Sequence, residues 1–400
     1  MRRRSFLKLA AAAVASAAPP NIRFDTDGML LVDGRREFLL GLYMLPNEPD
    51  PWKEAAGAGF NLALVEATRE ALDRAAAHGL HAWTQLGSIA PRQRAAGQER
   101  IRKIVSALKD HPALLYWETE DEPSWQYQKP GPRVAPSQIV ETVRFAKTLD
   151  AAHPFYLNHA PTNLVSTLRE YNEASDIVAT DIYSVIPRGI RGQYALWDDG
   201  MQGDLSNTYI SQAGQYADKM RQVAGPSRAV LMVLQAFAWE GLRKEGDRDS
   251  KMILYPTRAE TRFMAFQSVV HGVNGLLWWG LKHTPEGAPF WADLKAVARE
   301  LASLRAELAA SAAKLEIDLD YHDTGHTLDR GIEWTARPSG KDVLLIAVNA
   351  DRWPVEATLR PRNKFRRVTT LGESRPIRFT AGYWRDSLPA FGVRLYRLSP

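Results

Sequence analysis

Short apolar runs alternate with segments of helical periodicity through most of the chain. A short apolar run is typical of a buried strand, and apolar positions that recur every three or four residues are typical of a helix. Eight strands are predicted, at Phe38–Leu45, Asn61–Glu66, His81–Leu86, Leu114–Trp117, Phe155–Asn158, Ile177–Tyr183, Ala229–Phe237 and Gly275–Trp279. Helices are predicted between them, for example at Arg69–His78, Glu99–Lys109, Ser137–Ala151, Tyr209–Val223 and Thr257–His271. This alternation predicts an α/β fold, a (β/α)8 barrel.

A doubly wound open sheet is the structural alternative to the barrel. It fits less well, because no glycine-rich first turn of the dinucleotide- or phosphate-binding type is present. Thr257 and Glu260 have the capping-box spacing at the start of one helix. The long helical segment Phe290–Ala310 is predicted to close the barrel.

Both ends of the chain depart from this alternation. From about Lys314, short strand-like runs are separated by turn residues, which predicts an all-β sandwich. The runs are Leu315–Leu319, Gly331–Thr335, Val343–Val348, Val355–Leu359, Arg367–Leu371, Ile377–Phe379 and Gly392–Leu398. Near the start, Ile22–Phe24 and Met29–Val32 flank an Asp-Gly turn and predict a hairpin. The predicted units are a segment 1–17, a hairpin 18–36, a barrel 37–312 and a sandwich 313–400.

The first 17 residues have the order of an export signal. Arg2-Arg3-Arg4-Ser5-Phe6-Leu7-Lys8 matches the twin-arginine pattern, an Ala-rich run follows, and Ala15-Ser16-Ala17 resembles a signal-peptidase site. The apolar run is short for a mature membrane span. We expect a periplasmic or extracellular protein, with no membrane contact after cleavage. An uncleaved anchor and a chance basic end are the alternatives.

Composition and charge narrow the classes of partner. Hydrophobic residues make up 45% of the chain and charged residues 24%, as in an ordinary globular protein. Cleavage after residue 17 would remove three Arg and one Lys, so the formal charge would fall from +5 to about +1. Nucleic acid is therefore not an expected partner. The chain has no Cys, which excludes disulfides and cysteine-ligated metals.

The fourth predicted strand runs into a dense acidic cluster. Glu118, Glu120, Asp121 and Glu122 follow the apolar run that ends at Trp117. Crowded carboxylates repel one another and raise at least one pKa, which is what a general acid needs near neutral pH. An acidic, solvated loop is the alternative. On an extended strand, Glu118, Glu120 and Glu122 would share one face, so strand geometry is expected to break near Glu120 and leave Asp121 and Glu122 at the rim.

In barrels of this kind the active site lies at the carboxyl ends of the strands. The predicted strand ends place polar and aromatic residues there: Tyr43, Glu66, Gln85, Asn158, His159, Asp181, Tyr183, Gln235, Trp239, Glu240, Trp278, Trp279 and His283. Carboxylates and amides can hydrogen-bond sugar hydroxyls, and indole rings can stack on the flat faces of sugar rings. Trp83 is a further candidate for such stacking. Each also has a structural explanation: Glu66 as a helix-capping acid, His159 as a core histidine, Trp278 as packing.

The segment from Trp117 to Asp121-Glu122-Pro123, together with Tyr183 and Trp278-Trp279, resembles clan A glycoside hydrolases. These (β/α)8 enzymes place an Asn-Glu pair at the end of strand four, and that Glu is the acid/base. The resemblance, over about residues 36–310, implies Glu122 as the acid/base and Asp121 in place of the Asn, against a sugar hydroxyl. It implies that Tyr183 hydrogen-bonds the nucleophile and that Trp278 or Trp279 floors the sugar subsite.

The chain departs from this family at strand seven, where members carry a nucleophilic Glu. The position falls near Gln235, which cannot act as an ionised nucleophile. Glu240, five residues later, is the preferred second carboxylate, and Asp181 is another candidate. The alternative for Glu240 is a solvent-facing loop acid beside Arg243 and Lys244. A second carboxyl group about 5 Å from Glu122 would imply retention, and one about 6.5–9.5 Å away would imply inversion.

Other chemistries lack their motifs. The chain has no Gly-x-Ser-x-Gly elbow, no His-Glu-x-x-His and no phosphate-binding loop. Its nine His residues show no metal spacing, and a site at His322 and His326 is disfavoured because the segment resembles a turn. No metal and no cofactor are expected. Arg69 and Arg262 are candidate cation partners for the acids.

The predicted function is that of an exported glycosidase that uses two carboxylates on a carbohydrate substrate. A non-catalytic carbohydrate-binding barrel is the alternative, and Gln235 favours it. A lyase acting on acidic polysaccharides is a third possibility, although it would need a cation at strand ends that offer mainly acids. Sugar, linkage and oligomeric state stay open.

Overall fold

A computed structural model of the protein describes residues 18–126, 131–161, 163–187, 209–322, 328–373 and 375–400. The signal-like segment 1–17 lies outside these residues, as does His326. No helix of the described part is both long and apolar enough to cross a bilayer.

A small antiparallel sheet begins the described chain. Its strands are β1 (Ile22–Phe24), β2 (Leu30–Val32) and β3 (Arg35–Glu37), in that order. Leu30 and Val32 are buried in one cluster with Leu39 and Leu231 of the barrel interior. Gly28 at the turn has φ +78°, and a Cβ there would lie 2.6 Å from the Arg228 carbonyl oxygen. The sheet therefore packs directly against the barrel.

Eight parallel strands close into a barrel, which confirms the predicted fold class. They are β4 (Leu39–Leu42), β5 (Leu62–Leu64), β6 (His81–Gln85), β7 (Leu114–Glu118), β8 (Phe155–His159), β9 (Ile177–Ile182), β10 (Ala229–Gln235) and β11 (Gly275–Trp279). Successive side chains point alternately into the barrel and outward to the helices, as on any strand. Leu277, for example, joins the interior cluster, whereas Leu276 joins the outer one.

Helices cover the outside of the barrel. They are α1 (Pro51–Gly57), α2 (Arg69–Ala77), α3 (Arg94–Leu108), α4 (Pro136–Lys147), α5 (Val165–Arg169), α6 (Gln212–Ala224), α7 (Arg258–Val270), α8 (Pro289–Ser303) and α9 (Arg305–Ala309). The capping box at Thr257 and Glu260 is formed, with both reciprocal hydrogen bonds present. The predicted single helix Phe290–Ala310 is wrong, because the helix ends at Leu304, where φ −108° and ψ 10° break the α geometry.

Two antiparallel sheets form the C-terminal unit and confirm the predicted β domain. One contains β12 (Ile317–Tyr321), β15 (Val355–Pro361) and β17 (Trp384–Leu388). The other contains β13 (Ile332–Ser339), β14 (Asp342–Asn349), β18 (Val393–Ser399) and β16 (Arg367–Thr370). The two sheets share a core in which Trp384 and Tyr396 are fully buried.

The strand predicted at Ile377–Phe379 is instead β17, a few residues later. The apolar alternation of β17 is not visible in the sequence, because its three central residues are polar: Arg385, Asp386 and Ser387. Asp386 faces inward and is buried, and it accepts a hydrogen bond from the Tyr396 hydroxyl at 2.7 Å. A polar residue with a partner thus occupies a core position that sequence patterning assigns to apolar side chains.

Candidate active site

The acidic segment leaves the barrel wall directly after β7, as expected from the repulsion between its glutamates. The strand ends at Glu118, so Glu120 is not on it. Glu120 accepts hydrogen bonds from the Ser88 backbone nitrogen at 3.0 Å and from Ser88 Oγ at 2.7 Å. It also pairs with Arg133 at 3.0 Å. Burial alone would raise the pKa of Glu120, but hydrogen bonds from Ser88 and the charge of Arg133 lower it. Glu120 is therefore ionised, and Arg133 balances its charge.

Glu122 has an unusual backbone conformation. Its φ is +43°, in the left-handed region that side-chain-bearing residues rarely adopt. Its backbone nitrogen donates to the Asn158 carbonyl oxygen on β8 at 3.1 Å, which ties the turn to the barrel. Such strain costs about 1–3 kcal/mol and is concentrated at functional sites. The side chain is partly exposed, so it is open to solvent at the mouth of the barrel.

Three carboxyl groups meet at this mouth. The Asn158 side-chain amide nitrogen donates to Asp121 Oδ1 at 3.0 Å and to Asp181 Oδ1 at 3.2 Å. Glu122 lies beside Asp181, and the two side chains shift each other's pKa. Asn158 and Asp181 point inward from β8 and β9, whereas Asp121 and Glu122 follow β7. Three neighbouring barrel strands therefore supply the cluster.

The cluster holds protons because its charges are crowded and partly removed from water. Burial, then the charges of Asp181 and Asp121, raise the pKa of Glu122 well above its ordinary value. Burial also raises the pKa of Asp181, to about 6, although Glu122 and Asn158 oppose the rise. The pKa of Asp121 is raised by burial against the effect of Asn158 and Arg133. Glu122 therefore keeps its proton at pH values where Asp181 is ionised.

A fourth acid lies beneath the cluster. Glu118 is fully buried inside the barrel, where its Oε2 accepts a hydrogen bond from Trp83 Nε1 at 2.9 Å. Its other oxygen has no hydrogen-bond partner within the described residues. Burial, then the charge of Asp121, raise the pKa of Glu118 to about 8. A neutral carboxylic acid thus floors the site at neutral pH.

Tyrosines and Trp83 complete this floor. The hydroxyl oxygens of Tyr43 and Tyr156 are 2.6 Å apart, and the ring of Tyr43 packs edge-on against Trp83 at 5.2 Å. Burial raises the pKa of both tyrosines, so both hydroxyls stay protonated. Trp83 is fully buried, so the structure places it below the site and not at an exposed sugar-binding position.

One side of the mouth is an aromatic wall formed by Tyr183, Phe237, Trp239 and Trp279. The Tyr183 ring lies 5.0 Å from Phe237, 6.2 Å from Trp239 and 5.6 Å from Trp279. Trp239 Nε1 donates to the Tyr183 carbonyl oxygen at 3.3 Å. Tyr183, Trp239 and Trp279 are partly exposed. The carboxylates Asp181, Glu122 and Asp121 raise the pKa of Tyr183 beyond the effect of burial, so the wall borders the acids.

Phe237 was not among the predicted site residues. Gly280 makes room for it: its φ is +107°, and a Cβ there would lie 2.5 Å from Phe237 Cδ1. His283 extends the wall, with its ring 5.6 Å from that of Trp279.

Two predicted substrate-binding residues point away from the mouth. His159 is fully buried and packs edge-on against Tyr171 at 5.7 Å, and burial lowers its pKa to about 3. Trp278 is fully buried among outer-layer residues and packs edge-on against Phe60 at 5.6 Å. Strand alternation is the cause, because their neighbours Asn158 and Trp279 take the inward positions.

Gln235 lies at the end of β10, but its amide is occupied. Its Oε1 accepts from the Val185 backbone nitrogen at 2.9 Å, and its Nε2 donates to the carbonyl oxygens of Val185 and Phe237, both at 3.0 Å. The side chain is fully buried. Gln235 thus holds the segment after β9 in place through backbone hydrogen bonds, and its amide is not available to a substrate.

Glu240 is buried in the loop that follows β10. Its Oε1 accepts from the Asp249 backbone nitrogen at 2.7 Å and pairs with Arg243 at 3.1 Å. These contacts hold the loop together. Asp181 and Asp121, and not Glu240, are therefore the carboxylates whose charges act on Glu122.

The remaining predictions concern Glu66 and the cations. Glu66 is exposed beyond β5. Arg262 pairs with Glu300 at 2.7 Å and donates to the Val393 carbonyl oxygen at 3.0 Å, so it joins the barrel to the C-terminal unit. The cation beside the acids is Arg133, which pairs with Glu120 and donates to the Asp121 carbonyl oxygen. No periodicity or motif marks Arg133 in the sequence.

The acids do not form a metal site: within the described residues, no group of three or more His, Cys, Asp or Glu has a suitable arrangement.

Neither a protein-family model nor a curated protein sequence matches the chain. Solved structures do match. The glycoside hydrolase family 30 subfamily 8 xylanase Xyn30A from Clostridium acetobutylicum has a TM-score of 0.51 and 12% identity, over 91% of this chain and 96% of that one. A glycoside hydrolase family 5 mannosidase from Rhizomucor miehei has a TM-score of 0.50 and 12% identity, over 71% and 98%. At this identity the likeness concerns the fold alone, and the chain shares the barrel fold of these two enzymes.

Proposed function

We propose that the protein is a glycosidase that hydrolyses O-glycosidic bonds of an oligo- or polysaccharide. The observation that carries the proposal is the cluster of Asp121, Glu122 and Asp181 at the mouth of the barrel, in which the Asn158 amide holds Asp121 and Asp181 together. Glycoside hydrolysis needs a protonated acid and an ionised acid that flank the scissile bond. The fold supports the proposal, because the carboxyl ends of barrel strands are where such enzymes carry their sites.

In this proposal Glu122 gives its proton to the glycosidic oxygen as the bond to the anomeric carbon breaks. Asp181 supplies the negative charge on the other side of that carbon. Glu122 and Asp181 are near enough to shift each other's pKa, which favours the shorter separation of a retaining enzyme over the gap of about 6.5–9.5 Å of an inverting one. In the proposed retaining route, Asp181 bonds to the anomeric carbon. Glu122 then removes a proton from the water that releases the sugar.

The aromatic wall and Asp121 would hold the sugar. Trp239 and Trp279 are partly exposed, and an indole face suits the apolar face of a sugar ring. Asp121, fixed by Asn158, can accept a hydrogen bond from a hydroxyl group. Tyr43 lies against Tyr156 on the floor of the same opening.

A panel of aryl glycosides and oligosaccharides tests the proposal. We expect turnover of at least one substrate, and Glu122→Gln to lower it at least about 10²-fold while the protein stays folded. Glu170→Gln, which neutralises an exposed acid after α5, is the matched control and should leave turnover unchanged. Equal turnover by Glu122→Gln and the wild type would exclude this role for Glu122.

A non-catalytic carbohydrate-binding barrel is the second candidate. Gln235 favours it, because the residue at the usual nucleophile position is an amide committed to backbone contacts. Binding of a sugar on the same panel, without hydrolysis at any pH, would support this alternative.

We also propose export through the twin-arginine pathway, on the pattern in residues 1–17. Fusing these residues to a folded reporter should give export that is lost when Arg3 and Arg4 are both changed to Lys. Export that survives this change would contradict the proposal.

A further inference from the structure

A second concave surface lies on the C-terminal unit. A pocket of about 660 Å³ is formed by the segment between β15 and β16 and by the turn at Ala381-Gly382. Its volume lies within the range of small-ligand sites, about 300–1,000 Å³. We call it the basic pocket, because its lining includes Phe365 and four cations: Arg360, Arg362, Lys364 and Arg366.

Most of this positive charge is not neutralised by the protein. Arg362 pairs with Glu316 and Asp318, both at 2.8 Å. Arg360, Lys364 and Arg366 are exposed, and none forms an ion pair in the part of the chain that the structure describes, although Asp318 lies opposite Arg360 on β12 and interacts with its charge. Cations concentrated in one concavity create a positive potential that attracts anions.

The pocket is also partly ordered in advance. The Arg360 guanidinium lies 4.6 Å from the centre of the Tyr383 ring, which holds its planar group by a cation–π contact. A guanidinium already held in place loses less freedom when it binds a carboxylate or sulfate in two-pronged fashion. Phe365 is half-buried and adds an apolar face to the same pocket.

The turn that places Tyr383 is strained. Ala381 has φ +53°, although an alanine pays a penalty in this region that a glycine does not. Thr380 and Tyr383 close the turn with a pair of backbone hydrogen bonds, at 3.0 and 3.2 Å. Ala381 and Gly382, with φ +53° and +82°, form the two-residue turn of a tight hairpin, which fixes the position of Tyr383.

We propose that the basic pocket binds an acidic polysaccharide whose sugars carry carboxylate or sulfate groups. The cations would contact the anionic groups, and Phe365 would contact a sugar face. Single-stranded nucleic acid would need a basic groove with a row of aromatic rings on which bases stack. The lining of this pocket contains a single aromatic ring, that of Phe365. An anionic membrane would call for an amphipathic face with apolar side chains directed outward. This site is separate from the barrel and goes beyond the proposed hydrolysis.

Binding of the full chain to polygalacturonate and dextran sulfate, measured by calorimetry, tests the proposal. Neutral xylan and mannan serve as uncharged comparisons. We expect binding to the acidic polymers that weakens in about 1 M salt, where charges are screened beyond about 3 Å. The triple variant Arg360→Gln, Lys364→Gln and Arg366→Gln should bind roughly tenfold more weakly. Lys364→Gln alone should give a smaller loss in the same direction, should the triple variant not fold.

A control triple with the same charge change is Lys103→Gln, Arg299→Gln and Lys341→Gln, all at exposed positions outside the pocket. It should bind as the wild type does. Equal weakening by both triples would show attraction by net charge alone and would overturn the proposal. So would tighter binding to single-stranded DNA or to phosphatidylserine vesicles. Glu122→Gln should bind acidic polymers normally, which separates this test from that of the barrel.

Discussion

Glu122, which follows β7, and Asp181, on β9, shift each other's pKa across the barrel strand that lies between them. Asn158, on that intervening strand β8, donates to Asp181 and to Asp121, so the acids are held together by one amide. The coupling separates the two acids in function. One stays protonated and the other becomes ionised, although both are carboxylic acids.

This pair predicts a bell-shaped dependence of kcat/KM on pH. Activity should rise as Asp181 ionises, with a pKa of about 6, and fall at higher pH as Glu122 loses its proton. The apparent values belong to the pair as a whole. Asp181→Asn should lower turnover at least about 10²-fold. It should also move the alkaline limb of any residual activity to lower pH, because the charge that raises the pKa of Glu122 is gone. An unmoved limb would show that the two groups are not coupled.

The adjacent Trp278 and Trp279 should respond differently to truncation. Trp279→Ala should weaken sugar binding roughly three- to tenfold with little loss of stability, because its ring is partly exposed in the aromatic wall. Trp278→Ala should instead lower the free energy of unfolding by about 3–5 kcal/mol, because it empties a buried site beside Phe60. Urea unfolding and ligand titration of both variants check this contrast. Equal stability losses would contradict the assigned orientations.

Glu118 predicts a pH-dependent cost to stability. Its folded pKa, about 8, lies above its ordinary value of 4.5, so the folded state holds a proton that the unfolded state releases. The contribution of Glu118 to the free energy of unfolding is therefore full below about pH 4.5. It falls by about 1.4 kcal/mol per pH unit as the pH rises from about 4.5 to about 8, and it is lost above that. Glu118→Gln mimics the neutral acid and should lose this slope. The free energies of unfolding of both proteins at pH 5 and pH 8 test this, and parallel slopes would refute it.

His271 joins the barrel to the C-terminal unit and should weaken that junction at high pH. Its Nδ1 contacts Asp218 on α6 at 2.8 Å, and its Nε2 contacts Glu333 on β13 at 2.9 Å. Burial alone would lower the pKa of His271, but Glu333 and Asp218 raise it above 6.5. The contribution is full below about pH 6.5 and is lost as pH rises through the higher folded value. His271→Gln should cost roughly 1–2 kcal/mol at pH 6 and less at pH 9. A pH-independent difference in unfolding free energy would exclude the charged pair.

Local pattern was sufficient for the architecture. The positions of the eight strands and the change to short strands after Lys314 are visible as apolar runs, because a strand that is buried on both faces must be apolar throughout. The acidic cluster after β7 was equally visible, and so was the need for the strand to end before Glu120. Export and the catalytic roles stay predictions, since the first concerns residues outside the described part and the second requires activity measurements.

The sequence by itself determined the barrel, its β appendage and the strand ends at which chemistry was expected. Tertiary structure alone decided which residue at each end faces the opening. Asn158 and Trp279 point inward and their neighbours His159 and Trp278 outward, because one step along a strand reverses the side chain. Barrel closure likewise decides which acid lies near Glu122. It places Asp181 beside Glu122, whereas Glu240 accepts a hydrogen bond within its own loop. Such pairings depend on where separate strands come together in space, and spacing along the chain does not encode that distance.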